Sequence, residues 1–244
     1  MDEKIIKRKL GIPSSVVYKS VKIFVGIPTR GMISANWIAP ILKQSLPVNT
    51  SIEYRFLIGE EVGAAREKLA EMAIALKADY LIFIDDDVIV PPDAIGRLCN
   101  LADEGKDIVA GVYYSKQIPP QPLVFKGRGT GSYKKWKIGE IIEDADGVGM
   151  GLTLIKTEIL KKIKKPWFKT INVQKQIVNN EDVFMGKDEN LYFFDKVISQ
   201  EFKITIDTGI QGIHYDHKTD SYYFNNEGVP IVVTKGKVVF PKNP

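Results

Sequence analysis

The sequence predicts an α/β protein with a mostly parallel central sheet flanked by helices. Three observations predict it. Short apolar runs alternate with amphipathic stretches along most of the chain. One run, Tyr80-Leu81-Ile82-Phe83-Ile84, is apolar on both faces, as a central parallel strand is. Hydrophobic residues make up 44% and charged residues 26% of 244, the balance of an ordinary globular chain with room for a substantial core.

The elements follow in order. Lys22 to Pro28 reads as a buried strand ended by proline, and Ile33 to Gln44 as a helix that Pro40 kinks or ends. Ile52 to Ile58 is a second strand. Ala65, Leu69, Met72, Ala73 and Leu76 repeat at steps of three and four, giving a helix from Ala64 to Lys77. Tyr80 to Ile84 is the third strand. Asp93 to Glu104 forms the next helix, preceded by Pro91-Pro92 and stopped by Gly105. Asp107 to Val112 is a fourth strand, and Ile118 to Trp136, rich in Pro, Gly and Lys, a long loop. Val148 to Ile155 continues as strand, Thr157 to Ile163 and Glu189 to Gln200 as helices, and Phe202 to Ile206 as a late strand. Val229 to Val233 and Lys237 to Phe240 flank Lys235-Gly236 as a hairpin. Strand–helix–strand order of this kind favours a parallel or mixed sheet covered on both faces.

Composition excludes several classes. The lone Cys99 rules out a disulfide-stapled scaffold. No apolar stretch approaches the roughly 18 residues of a membrane span. Met1 to Leu10 alternates charge with apolar residues and lacks a signal-peptide core, so a soluble, cytoplasmic protein is expected. Thirty-four Lys+Arg against 30 Asp+Glu leaves +4, too small an excess to propose nucleic acid as partner.

The most informative residues are Asp85, Asp86 and Asp87, directly after the third strand. Ligands of open α/β sheets bind beyond the carboxyl ends of strands. Three adjacent carboxylates repel one another, and a cation relieves the cost. In an extended segment Asp85 and Asp87 point one way and Asp86 the other. Oxygen ligands on Mg²⁺ or Mn²⁺ suit a phosphate-bearing substrate. The bland alternative is a solvated acidic turn.

Ala78 to Val88, followed by Pro91-Pro92-Asp93-Ala94, resembles the D-x-D region of nucleotide-sugar-dependent glycosyltransferases of the GT-A fold, in particular glycosyltransferase family two. Val25 to Gly31 resembles that family's first strand and nucleotide loop, and Ala64-Ala65-Arg66 its nucleotide-facing helix start. Gly147-Val148-Gly149-Met150-Gly151 resembles its acceptor-side strand and Glu181-Asp182 its E-D motif; His214 stands where a late metal-binding histidine is often found. The resemblance covers roughly Val21 to His217, with 1–20 and 218–244 as extensions, the latter carrying the hairpin.

The resemblance implies a metal-dependent glycosyltransferase, using Mn²⁺ (manganese) or Mg²⁺ and a UDP- or GDP-sugar donor. The acceptor is an unidentified glycan, lipid or protein. Transfer is expected to invert, although enzymes of both stereochemical outcomes share these motifs. Pro28, Thr29, Arg30, Arg66, Asp85 and Asp86 would form the nucleotide pocket. Asp85, Asp87 and His214 would ligate the metal, with the frame of the triplet left open because Asp86 can take either role. Asp182 would act as general base with Glu181 beside it, while a plain acidic pair at a helix N-terminus reads almost as well. Gly147, Gly149, Met150 and Gly151 would form the acceptor side, their glycines alternating in a strand to leave a bare face; close packing is the alternative. The loop Ile118 to Trp136 is expected to order over the donor. Trp136, Trp167 and Tyr222-Tyr223-Phe224 can stack on sugars but more often belong to cores. Lys161 to Lys165 reads as a solvated helix face.

Two rivals remain from sequence. Asp85-Asp86-Asp87-Val88-Ile89 satisfies the D-x-D-x-[TV] motif of haloacid-dehalogenase phosphatases, with Asp85 as nucleophile. That nucleophile normally follows the first strand of its domain, whereas three α/β elements precede this one. A catalytically silent nucleotide-sugar-binding module is the other; a nucleotidyltransferase lacks its glycine-rich start here.

Overall fold

The computed structural model describes residues 20–127, 131–132, 136–178 and 181–241, with side chains described outside 131–132, 172–178 and 181–187. In chain order the elements are β1 (Val21–Thr29), α1 (Ala35–Ile41), β2 (Thr50–Ile58), α2 (Val62–Ala75), β3 (Tyr80–Ile84), β4 (Val88–Ile89), α3 (Ala94–Asp103), β5 (Ile108–Val112), β6 (Val124–Lys126) and β7 (Gly131–Ser132). They continue with β8 (Ile141–Ile142), β9 (Gly147–Val148), β10 (Leu152–Lys156), α4 (Thr157–Lys162), β11 (Ile171–Val178) and β12 (Glu181–Lys187). The last are α5 (Glu189–Ser199), β13 (Ile204–Gln211), β14 (Ile213–Asp216), β15 (Ser221–Asn226), β16 (Val229–Thr234) and β17 (Lys237–Phe240).

The main sheet has seven strands in the order β2-β1-β3-β10-β5-β13-β8. β1 pairs in parallel with both β2 and β3, and β13 in parallel with β5. Only β10, between β3 and β5, and β8, beside β13, run against the others. The sheet is thus mixed but mostly parallel.

Period-two alternation divides the strands between two cores. Ile23, Val25, Ile27, Ile82 and Ile84 face Trp37 and Ile41 of α1 and Ile95, Leu98 and Cys99 of α3. Phe24, Leu81 and Phe83 face the other way, onto Leu69 of α2, Leu160 of α4 and Phe193 and Phe194 of α5. Covering on both faces is what the all-apolar sequence of β3 demands, and each fully buried Leu, Ile or Phe there contributes about 1.5–3 kcal/mol. Local signals set the helix ends: Ser34, Glu61 and Asp188 each accept a backbone N–H at their N-caps. Gly105, at φ 99°, takes the left-handed turn after α3.

A second, antiparallel sheet runs β17-β16-β15-β14-β4. It meets the first at the aspartates, because β4 starts one residue after Asp87 and pairs with β14 through His214 and Val88. Sequence gave no hint of β4 or β14. α1 is shorter than the expected Ile33–Gln44, retains Pro40 inside it and ends at Ile41. The expected long loop contains β6 and β7, which join β9 in a three-stranded sheet. Glu181 and Asp182 begin a strand, β12, paired with β11, rather than a helix. Among the described residues no helix is long and apolar enough to cross a membrane.

Candidate active site

The aspartates occupy a tight turn, not an extended segment, which corrects the expected alternation. Val88 donates its N–H to the Asp85 carbonyl at 3.1 Å, and aspartate is favoured at the first position of such a turn. Neighbouring elements fix the backbone: the Trp37 indole N–H donates to the Asp85 carbonyl at 2.7 Å, and Tyr215 N–H to the Asp87 carbonyl at 2.8 Å. The turn sends its three carboxylates to three different partners.

Asp85 turns inward to Arg66 of α2, whose Nη2 donates to both carboxylate oxygens at 2.7 and 2.8 Å. Nη1 of the same guanidinium donates to Glu189 and Asn190 in the first turn of α5. Arg66 is 1% exposed, lies 5.7 Å from the centre of the Phe83 ring, and leaves its Nε buried without a partner among the described residues. One guanidinium therefore serves two carboxylates, leaving one negative charge in excess. Burial pushes the Glu189 carboxyl up from its ordinary value, and the charge of Arg66 only partly offsets this. These contacts revise two expectations. Arg66 is a buried clamp, not an open nucleotide contact, and Asp85 is engaged by it instead of facing a shared metal position with Asp87.

Asp86 points to the end of β1. Thr29 donates its hydroxyl to Asp86 at 2.6 Å and Arg30 its N–H at 3.4 Å. The exposed Arg30 thus projects from a backbone held by the triplet, with Pro28 buried before it.

Asp87 faces outward. Lys116 Nζ lies 2.6 Å and His214 Nε2 3.4 Å from its Oδ2. Burial acts to raise the Asp87 pKa, but His214 and then Lys116 overcome it and hold the carboxyl well below the carboxylate range. His214 Nδ1 lies 2.7 Å from the Tyr114 carbonyl, which can only accept, so that nitrogen carries the proton. A protonated ring donates Nε2–H to Asp87, whereas a neutral ring presents a lone pair beside the carboxylate, where a cation can bind. Among the described residues no three His, Cys, Asp or Glu side chains form a ready metal cage. Carboxylate oxygen and imidazole nitrogen together could hold Mn²⁺, the carboxylate and water alone Mg²⁺, and the ammonium on Asp87 marks where a cation is favoured. His217 is exposed, its ring edge-on to that of Tyr215 at 4.7 Å between centroids.

The glycine segment is corrected. Gly149 to Gly151 breaks the strand into β9 and β10, and Gly147, Gly149, Met150 and Gly151 are all buried, so no bare face is offered to an acceptor. A Cβ on Gly151 would fall 2.6 Å from Asp85 Oδ2, and one on Gly149 would strike the Tyr113 hydroxyl. These glycines make room for protein groups: Gly151 N–H donates to that hydroxyl at 3.0 Å, and Asp85 N–H to the Gly151 carbonyl at 3.2 Å. The side chains of Glu181 and Asp182 lie outside the described residues. Trp167 is core, donating its indole N–H to the Leu160 and Ile163 carbonyls. Sequence reasoning missed Glu189, Asn190, Lys116 and Tyr113. Only Asp188-Glu189, a second acidic pair opening an amphipathic stretch, offered a signal.

A mostly parallel sheet with helices on both faces, carrying an aspartate turn at the carboxyl end of β3, is a fold of the GT-A kind. Residues 49–150, which include Arg66 and all three aspartates, match the family Glycosyl transferase family 2. Among solved structures, A197 from STIV is similar at 22% identity and a TM-score of 0.61, over 92% of this chain and 95% of that one. S. aureus TarS 1-349 in complex with UDP aligns at 13% identity and a TM-score of 0.38, over 58% of this chain and 48% of that one. Full S. aureus TarS aligns at 12% and 0.45, over 77% and 35%. No curated protein sequence matches this one.

Proposed function

We propose that this chain is a glycosyltransferase that moves a sugar from a nucleoside-diphosphate donor to an acceptor hydroxyl with inversion, assisted by a divalent cation. The observation that carries the reading is the outward pair Asp87 and His214, set with Lys116 at the carboxyl end of β3. Asp87 and His214 would hold Mn²⁺ or Mg²⁺, whose charge favours departure of the diphosphate. Lys116 supplies a flexible ammonium that can turn from Asp87 to a phosphate oxygen. Asp86 fixes Thr29, and through it the loop from which Arg30 reaches the nucleotide. A phosphatase using Asp85 as nucleophile is poorly served, since both its oxygens already accept from Arg66.

The general base is Asp182, the choice from sequence, or Glu189, whose side chain is described and lies buried against Arg66. Glu189 sits beside Asp85 at the start of α5, and burial strengthens it as a proton acceptor. Asp182 lies on the β11–β12 hairpin, and paired variants separate the two. UDP and GDP are titrated calorimetrically with and without Mn²⁺, and transfer is assayed in parallel. Asp87→Ala is expected to remove the gain in nucleotide affinity that Mn²⁺ gives. The variant at the base, Glu189→Gln or Asp182→Asn, is expected to keep nucleotide binding and lose transfer by about 10²–10⁴-fold. Loss in Asp182→Asn with retention in Glu189→Gln assigns the role to Asp182. A wild-type chain that binds neither nucleotide ends the donor assignment.

A further inference from the structure

With the glycine turn closed to ligands, an acceptor must enter elsewhere, and one cleft shares Tyr114 with the aspartate site. We propose that the acceptor is a neutral hexopyranoside, held between the 115–122 loop and the β16–β17 hairpin. This rests on the glycosyl-transfer reading and names the acceptor class for it. The cleft has a volume of about 740 Å³, within the range of small-ligand sites. Tyr114, Trp136 and Phe240 line it together with prolines from both walls, and Gln121, Lys137 and Glu227 stand around them.

Its position ties it to the reaction. Tyr114 spans the two sites: its carbonyl accepts from His214 Nδ1 at 2.7 Å, and its hydroxyl accepts from Asn225 of β15 at 2.8 Å. The loop is closed by Ser115 and Gln121, whose backbone N–H groups donate respectively to the Gln121 carbonyl at 2.8 Å and the Ser115 hydroxyl at 3.0 Å. One side of that loop carries Lys116 to Asp87, and the other carries Gln121 into the cleft wall. Tyr114 and the Ser115–Gln121 loop thus join the cleft to the groups assigned to the donor. The sequence put the segment Ile118 to Trp136 over the donor; its Pro119 to Pro122 and Trp136 line this cleft.

The lining chooses the ligand class. A pyranose presents C–H faces edged by hydroxyls, which matches aromatic and proline surface bordered by an amide, an ammonium and a carboxylate. Gln121, Lys137 and Glu227 have no side-chain hydrogen bond among the described residues, so their groups remain available to hydroxyls. Among the described residues Lys137 and Glu227 cancel in charge and no arginine lines the cleft, which disfavours a phosphorylated ligand.

The test is saturation-transfer NMR on the full chain, with methyl glucoside, galactoside and mannoside, their disaccharides, and octyl glucoside as a lipid-like probe. Expected is transfer to ring protons of at least one sugar, reduced fivefold or more in Trp136→Ala and in Val229→Trp, which plugs the rim. Should Trp136→Ala fail to fold, the plug on the exposed Val229 decides alone. No ring transfer in wild type, equal transfer in the plugged variant, or transfer confined to the octyl chain overturns the proposal. UDP and GDP titrated in the same samples separate the two readings. Nucleotide binding without sugar contact removes the cleft assignment alone; sugar contact without nucleotide binding removes the transfer reading and, with it, the acceptor role.

Discussion

The two flanks of the aspartate turn are built on opposite plans. On the Asp85 side, Arg66 and Glu189 are 1% and 6% exposed, every reaching atom comes from a helix, and the partners are fixed. On the Asp87 side, Lys116 and the aspartate are 29% and 27% exposed, and the ammonium comes from a loop. Water is excluded from the first pair and competes for the second. The buried flank sets the position of the turn, while the open flank can exchange its cation for another, as the proposed chemistry requires.

The comparison is broken most forcefully at Arg66. Arg66→Met leaves the buried Glu189 and the partly buried Asp85 without their guanidinium and is expected to cost about 3–5 kcal/mol. Thermal melting reads this as a fall of roughly 6–20 °C for a chain of this size; a change within 2 °C would show that the pair is not buried in solution. Next comes Gly151→Ala, whose new Cβ meets Asp85 Oδ2 at 2.6 Å. A loss of about 1–3 kcal/mol by urea unfolding is expected, and a neutral outcome would mean that Asp85 can swing away from Arg66 freely.

Lys116→Met gives the smallest effect, under about 1 kcal/mol near neutral pH, because half-exposed pairs contribute little. Its signature lies in acid. Asp87 has a folded pKa below its unfolded value of 3.8, so its stabilisation is complete above that value and is lost as pH falls toward the folded one. Burial opposes the lowering, His214 and Lys116 cause it, and removing Lys116 should flatten the stability decline measured below pH 4. An unchanged slope would assign the lowering to His214 alone. Glu189 behaves with the opposite sign: its pKa is raised by burial, so its contribution declines as pH rises past the ordinary 4.5.

What the sequence disclosed follows the same division. β3 was legible to the residue because an apolar run met three charges abruptly, and α2 and α3 because their apolar residues recur at helical spacing. Arg66 was seen but misjudged, since its burial depends on Glu189, 123 positions away. The glycines at every second position fit a strand as well as a turn; what decided between them was the Asp85 carboxylate and the Tyr113 hydroxyl, brought in from other strands. β4 is too short to show any period. Its partner β14 carries one apolar residue, Ile213, before His214-Tyr215-Asp216, so no pattern announced that the expected hairpin belongs to a sheet reaching the aspartates.

That junction of sheets has a mechanical meaning. His214 is cross-paired with Tyr223 on one side and with Val88 on the other, while the backbone of the next residue grips the Asp87 carbonyl. The turn works as a rivet through two plates: fraying of the C-terminal strands would drag the imidazole off its carboxylate. Slowed amide exchange along 213–226 would then serve as a remote gauge of whether anything is seated at the aspartates.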